Sequence, residues 1–297
     1  MQNTINSIAG LSILTVSVLL ATAPAAAQSP TATAKASAGA LPLTPDGQPN
    51  LQGYWTAAVT GTYDLTDPRS GGSRLDEQVR AKDGVARKPK PSRIVDPPDG
   101  KIPYQPWAAA KQADLQANVD DPTKPEHIDT QARCLLDGAV RPFFHAPFRI
   151  VQVPGTVLFL EEENHGYRAV PLDGHPHIGE NIKLWMGDSR GHWEGNTLVI
   201  DVTNVNGKPR LDMVANFYSD AAHFLERLTL VDANTFDYEV TVTDPKVYTR
   251  PWKIAARFVR PRGQGSDYEI WEDACHEGEQ SADLMVIPAD IAKKEKK

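Results

Sequence analysis

The feature that most constrains this chain is a series of short segments in which apolar and polar residues alternate. The clearest begins at Phe236, where Phe236, Tyr238, Val240 and Val242 alternate with acidic and hydroxyl-bearing residues. A period of two places the apolar side chains on one face of a β-strand. Because an apolar face must be covered to be stable, the pattern predicts an antiparallel sheet with one buried face.

Eight segments in the second half of the chain have this strand-like composition, and turn residues such as Pro154-Gly155 separate several of them. They cover residues 148–153, 157–162, 167–172, 197–203, 224–231, 236–243, 252–260 and 268–274. Short connections favour antiparallel hairpins over helix-containing crossovers. We therefore predict a mainly β protein, an antiparallel meander that forms a closed or nearly closed lipocalin-like barrel, because closure removes exposed sheet edges. A two-sheet β-sandwich is the alternative.

The chain before these strands is organised differently. Residues 8–23 are apolar and Ala25-Ala26-Ala27 is typical of a cleavage site, so we predict a signal peptide over 1–27, although its first seven residues carry no Lys or Arg. We predict a disordered leader over 28–45 and a single β-rich domain over 46–297. Within it, 46–133 form an irregular Pro-rich arm with one short helix at 107–118, 134–280 the barrel core, and 281–297 a charged tail.

Composition and cysteine content limit the partners and the compartment. A hydrophobic content of 40% is sufficient for a real core, and a net charge of −7 argues against nucleic acid as the main partner. In an exported chain, the two cysteines, Cys134 and Cys275, indicate one disulfide, with two buried thiols or a reactive thiol as the alternative. We expect a periplasmic or secreted protein with no membrane span after processing.

A distinctive glycine-rich string covers residues 185–201, with the pattern Trp-x-Gly-x-Ser-x-Gly-x-Trp-Glu-Gly-Asn-Thr-Leu-Val-Ile-Asp. Taken alone, its first half predicts a glycine-punctuated turn that leads into a strand. The string resembles one found in a large, mostly uncharacterised group of exported bacterial proteins, whose members usually have Asp where Asn196 stands. Shorter matches extend the resemblance over about 134–277, and it implies a common fold without an activity.

Three carboxylates fall on predicted apolar strand faces, namely Glu161, Glu226 and Glu272. An unpaired buried charge costs several kcal/mol, so each must be paired, neutral or exposed to a polar cavity. Desolvation of an unpaired carboxyl raises its pKa, which suits a general acid. The alternative is pairing with an arginine, for which the candidates are Arg141, Arg190, Arg227 and Arg250.

The first functional hypothesis is an enzyme in which Glu226, with His223 or His177, transfers protons in a lyase, isomerase or hydrolase type reaction. Glu226 and His223 lie three residues apart, so on a regular strand they face opposite sides, which counts against their pairing. Further predicted binding residues would line an apolar cup or hold a polar group of the substrate. They are Arg190, which would hold an anionic group, and Trp185, His192, Trp193, Tyr238, His276 and Glu277, with Phe224 in the cup.

The second hypothesis is a periplasmic binding or carrier protein with the same cup and no chemistry. Both hypotheses predict a small, partly apolar ligand and no cofactor. The pair His175 and His177 has the spacing H-x-H, but without a complete zinc-ligand motif we predict no metal. The two hypotheses differ in whether an acid, a base and an arginine converge in the barrel.

Overall fold

The structure is a computed structural model that describes residues 41–59, 64–66, 92–119, 121–261, 268–272 and 275. The chain divides into two compact units, 1–37 and 38–297, and all of the described residues belong to the second. The predicted signal peptide, most of the predicted leader and the charged tail lie outside the described residues. Within the described ranges, no helix has both the length and the apolar character needed to cross a membrane.

One sheet contains all ten strands of the described residues. They are β1 (Gly53–Ala57), β2 (Ile94–Asp96), β3 (Phe148–Val153), β4 (Thr156–Glu161), β5 (Tyr167–Pro171), β6 (Asp188–Glu194), β7 (Thr197–Thr203), β8 (His223–Asp232), β9 (Thr235–Thr243) and β10 (Trp252–Val259). Nine of them follow the order β5-β4-β3-β1-β10-β9-β8-β7-β6, and β2 pairs with β10. The result is a nearly closed antiparallel barrel, which confirms the predicted fold class over the sandwich.

The alternation predicted for β9 is the pattern that builds the barrel wall. Phe236, Tyr238, Val240 and Val242 are at most 1% exposed, and the residues between them are only partly buried. β8 has the same pattern, and its Phe224 pairs with Val242 across the ladder. The two neighbouring strands therefore both direct a row of apolar side chains into the barrel.

The helices are α1 (Pro106–Ala117), close to the predicted position, and α2 (Pro142–His145), which the sequence did not predict. Phe143 of α2 lies among the inward-facing rings of the barrel, with centroids 4.6 Å from Phe148, 5.1 Å from Phe159 and 5.6 Å from Tyr238. Edge-to-face and tilted contacts of this kind add to the apolar area that the rings bury. A single helical turn thus contributes Phe143 to the barrel interior, and the residues just before it, including Asp137 and Arg141, are also buried.

The two end strands, β5 and β6, run parallel. Eight successive antiparallel pairings separate them along the sheet, so both have the same direction. No ladder between them occurs within the described strands; instead, a Cβ on Gly191 of β6 would lie 2.7 Å from side-chain atoms of both Val170 and Leu172. Parallel neighbours require a long crossover, and here residues 172–187 supply it. We call this β5–β6 boundary the seam.

Some predicted elements differ from the structure. Residues 188–194, predicted as a turn, form β6, and Gly191 allows the close approach at the seam. The predicted strand 268–274 is wrong for its described part: residues 268–272 are in no strand, and Tyr268 packs edge-on against Tyr54 at 4.9 Å. Glu272 is consequently exposed and not on a buried face. The predicted disulfide between Cys134 and Cys275 is present.

Candidate functional site

Glu226 lies on the inward face of β8 and is completely buried. Arg168 of β5 donates to both of its oxygens, from Nη1 at 2.5 Å and Nη2 at 3.0 Å, and the Tyr238 hydroxyl donates to Oε2 at 3.1 Å. The Arg168 guanidinium lies between the rings of Phe143 and Phe159, at 5.0 and 4.8 Å from their centroids. A bidentate pair of this kind is among the stronger polar interactions in proteins, so Glu226 holds Arg168 in place.

Glu161, the last residue of β4, is 5% exposed, and its Oε1 has no hydrogen-bond partner among the described residues. Burial raises its pKa from 4.5 to about 8, although the nearby Arg168 acts in the opposite direction. The negative charges of Asp137 and Glu226 raise it further. Glu161 is therefore a protonated acid at neutral pH, as expected for an unpaired carboxyl in a dry site.

A second group of charged residues lies in the segment that leads to α2 and ends at its N-cap, Arg141. Arg141 donates from Nη1 to Asp129 Oδ1 at 2.8 Å, and its Nε lies 3.8 Å from Asp137 Oδ2, beyond hydrogen-bond distance. Neither Asp137 oxygen has a hydrogen-bond partner in the described part of the chain, and burial raises the pKa of Asp137 to about 6. Arg210 Nη1 and Asp129 Oδ2 form a second such pair, also 3.8 Å apart and without closer partners.

The Tyr218 hydroxyl completes this group. It is buried beside Gly138, where a Cβ would lie 2.5 Å from it, and it too lacks a hydrogen-bond partner among the described residues. Burial and the charge of Asp137 raise the pKa of Tyr218, so the hydroxyl stays protonated. We call the whole set the interior cluster; it consists of Asp129, Asp137, Arg141, Glu161, Arg168, Arg210, Tyr218 and Glu226.

A polar segment beside the interior cluster links it to the disulfide. Gln131 accepts from Arg141 at 2.8 Å through its side-chain oxygen and donates to Glu163 Oε1 at 2.6 Å. His145 Nδ1 also contacts Glu163 Oε1. The sulfur of Cys275, which is bonded to Cys134, lies 3.9 Å from the Gln131 carbonyl oxygen. The disulfide therefore fixes the turn that supplies one of the side chains bound to Arg141.

The predicted histidines converge on the outer face of the barrel and not on Glu226. His177 contacts Asp188 through Nδ1 at 2.7 Å and Asp201 through Nε2 at 2.8 Å. His223 Nε2 contacts the other Asp201 oxygen at 2.9 Å, and Arg190 lies 3.2 Å from Asp188. We call these five residues the outer chain.

Strand alternation explains this separation. Glu226 pairs across the ladder with Ile200, which is fully buried, whereas the next residue along β7, Asp201, faces outward and is 40% exposed. β8 is regular between His223 and Glu226, so these side chains face opposite sides, as their spacing implied. The structure thus places the proposed acid and its proposed histidine partners on opposite faces of the sheet.

The other predicted binding residues do not form one cup. Tyr238 lies inside the barrel next to Glu226. Trp193 packs at the edge of the core, while Trp185 lies in the crossover with Lys208 5.6 Å above its ring. His192 is exposed on β6 and contacts Glu194 at 3.1 Å. The aromatic residues expected to share a cup are therefore distributed between the interior, the strand edge and the surface.

Sequence reasoning identified part of the interior cluster. Glu161 was singled out as a carboxylate on an apolar face, and Arg141 was one of the candidate arginines. Arg168, the actual partner of Glu226, is not among the predicted arginines, although the alternation of β5 places it on the same face as Val170. Asp137 lies in an irregular segment, where no periodicity indicates which way a side chain points.

Two predicted residues, His276 and Glu277, lie outside the described residues. Among those that the structure describes, no group of three or more His, Cys, Asp or Glu side chains is placed to hold a metal ion. Comparisons of the chain with protein-family models, with curated proteins and with solved structures found no match. The chemistry of the site therefore has to be inferred from its own residues.

Proposed function

We propose that this protein is an exported enzyme that uses acid–base chemistry in the interior cluster to convert a small, partly apolar molecule. A lyase, isomerase or hydrolase type reaction fits this chemistry. The observation that supports it is that eight buried side-chain polar atoms of the interior cluster have no hydrogen-bond partner, more than in all the rest of the described residues. Native proteins satisfy most buried polar groups, so a local excess needs an explanation, and a bound polar molecule supplies one.

In this proposal Glu161 is the proton donor and Asp137 the acceptor. Their pKa values, about 8 and about 6, lie on either side of neutral pH, where proton transfer in both directions is efficient. Two carboxyl groups whose environments separate their pKa values are typical of an acid and base pair. Arg141 and Arg168 each have an Nε without a hydrogen-bond partner, so they would stabilise negative charge that develops on the substrate.

Glu226 has a different role from the one expected from the sequence. Arg168 and Tyr238 occupy both of its oxygens, so it is poorly placed to exchange a proton with a substrate. We assign it to positioning Arg168. The partly apolar character of the substrate fits the Phe143 and Phe159 rings beside the guanidinium. The disulfide is compatible with export to an oxidising compartment.

The experiment begins with mass spectrometry of small molecules that copurify with the protein expressed from its full sequence, residues 1–297. The copurified compound is then tested for binding and conversion with the wild type and with Glu161→Gln, Asp137→Asn and Glu180→Gln. Glu180 is exposed, which makes it a matched control. We expect the first two substitutions to remove conversion by more than about a hundredfold while binding is largely kept. Binding without conversion in the wild type would instead indicate a carrier, and equal conversion in all four proteins would disprove the proposed roles.

A further inference from the structure

The interior cluster is closed to solvent, so a molecule that reacts there needs a route through the barrel wall. Its central acids, Asp137 and Glu161, are only 3% and 5% exposed. Elsewhere around the barrel, antiparallel ladders join neighbouring strands through backbone hydrogen bonds. At the seam, two of the described strands meet without such a ladder. There the side chains of Val170 and Leu172 lie against the backbone of Gly191, so close that a Cβ on Gly191 would lie 2.7 Å from each of them.

The seam also borders the cluster directly. Arg168 projects inward from β5, one of the two seam strands, and pairs with Glu226. Separation of β5 from β6 would therefore uncover the guanidinium and the Glu161 carboxyl, whose strand β4 is the next one along. Every other pair of neighbouring strands in this order of described strands is joined by a backbone ladder that separation would break. The shortest of these ladders, between β1 and β10, covers two residue pairs, Thr56–Val259 and Ala57–Phe258.

The side chains of His177, Arg190 and Asn204 fasten the crossover 172–187 over the seam side. Arg190 Nε donates to the Pro176 carbonyl oxygen at 3.1 Å, and backbone hydrogen bonds join Leu184 to the segment after β7. His177 bridges Asp188 of β6 and Asp201 of β7, and the backbone N–H of Ile178 donates to Asp188 at 3.2 Å. Further along, the Asn204 amide donates to carbonyl oxygens of the crossover, including that of Gly179 at 2.9 Å. These contacts connect the crossover to strands β6 and β7, and so hold the chain that leads out of β5.

The bridge made by His177 depends on charge. A carboxylate oxygen can only accept, so His177 donates to Asp188 and Asp201 at once only when both of its ring nitrogens carry protons. Arg190 beside Asp188 and His223 beside Asp201 are the other charged groups that face it. With His177 26% and Asp201 40% exposed, each contact is individually weak. A fastening made of such partly exposed contacts is suited to reversible opening.

We propose that the barrel opens at the seam, that this opening is the route to the interior cluster, and that His177 is the latch that limits it. The opening does not depend on the proposed function, while its use by a substrate rests on that function. The latch is distinct from the acids of the interior cluster, since the outer chain lies on the opposite face of the sheet.

The test is amide hydrogen exchange in the wild type, His177→Ala and a matched control, His192→Ala, which removes an exposed imidazole from β6 itself. In His177→Ala we expect exchange to rise about tenfold in 172–187, β5 and β6, with no change in the β8–β9 ladder. The Arg168 Nε proton, followed by NMR, should exchange faster in the same variant. His192→Ala should behave as the wild type.

Three results would overturn the inference. Equal acceleration in every strand would show global destabilisation, and unchanged exchange would show that His177 holds nothing. Faster exchange in 172–187 without any change at Arg168 would show that the crossover frays and that no route to the cluster opens. If exchange behaves as expected but Glu161→Gln keeps full turnover of a copurified substrate, the seam stands and the proposed function fails.

Discussion

Replacing Glu161 with Gln tests the physical state of the interior cluster without any knowledge of a substrate. The structure places this carboxyl in a site that favours its neutral form, since burial raises its pKa to about 8. In the unfolded chain the same group has its ordinary pKa of 4.5. Gln has nearly the same shape and cannot ionise, so the pH dependence that Glu161 contributes disappears in the variant.

The sign and the size follow from proton linkage. Between pH 4.5 and 8 the unfolded chain has released the Glu161 proton while the folded protein retains it, so unfolding releases a proton and stability falls as pH rises. This contribution is fully present below pH 4.5 and is lost as pH rises through 8. Each pKa unit corresponds to about 1.4 kcal/mol, so the wild type should lose about 4 kcal/mol relative to Glu161→Gln between pH 4.5 and 9.

The assay is urea-induced unfolding at closely spaced pH values, with the free energy of unfolding compared between wild type and variant at each pH. The comparison removes the contribution of titrating groups that do not interact with Glu161. The exposed Glu180→Gln serves as the control and should give a difference that does not change with pH. A constant difference for Glu161→Gln across this range would show that the carboxyl ionises normally in the folded protein and would refute the reasoning.

Further predictions concern the elements that support the site. Arg168→Met should lower the free energy of unfolding by about 3–5 kcal/mol because it leaves Glu226 buried and unpaired, and adding Glu226→Gln should recover part of this loss in the same urea assay. Gly191→Ala should destabilise by about 1–3 kcal/mol because its Cβ would lie 2.7 Å from Val170 and Leu172; Gly179→Ala, where nothing lies within 4 Å, should be nearly neutral in thermal unfolding. Replacing both Cys134 and Cys275 with Ser should cost about 4 kcal/mol, since their bond closes a loop with a sequence separation of 141; equal stability with and without reductant would contradict this.

The sequence was sufficient for most strands of the barrel wall because they depend on alternation, which is a local property, but alternation did not distinguish the barrel from a two-sheet sandwich. In β9 every second residue from Phe236 is buried, as the period-two pattern required. The same pattern showed that Glu161 and Glu226 face inward, and it showed that His223 does not share the face of Glu226. These inferences use only neighbouring residues on one strand, and the structure agrees with each of them.

The pairing of the buried charges could not be obtained in the same way. Arg168 and Glu226 are separated by 58 residues and lie on strands that are not neighbours in the sheet. They meet across the barrel interior, so their contact depends on closure and on the shear of the whole sheet. Asp137 and Arg141 depend in addition on the insertion of α2, a single turn too short to leave a helical period.

The parity of the strands shows most clearly why local patterns leave the site undetermined. Eight strands in an up-and-down barrel place the first and last strands antiparallel, and a complete set of ladders can then close the wall. In this chain residues 268–272 form no strand, while β1 and β6 join the path and make nine. The odd number forces β5 and β6 to run parallel, so an antiparallel ladder cannot join them, and their connection requires a long crossover. The difference between eight predicted and nine observed strands therefore accounts for both the seam and the crossover that His177 fastens, and it cannot be detected from the alternation within any one strand.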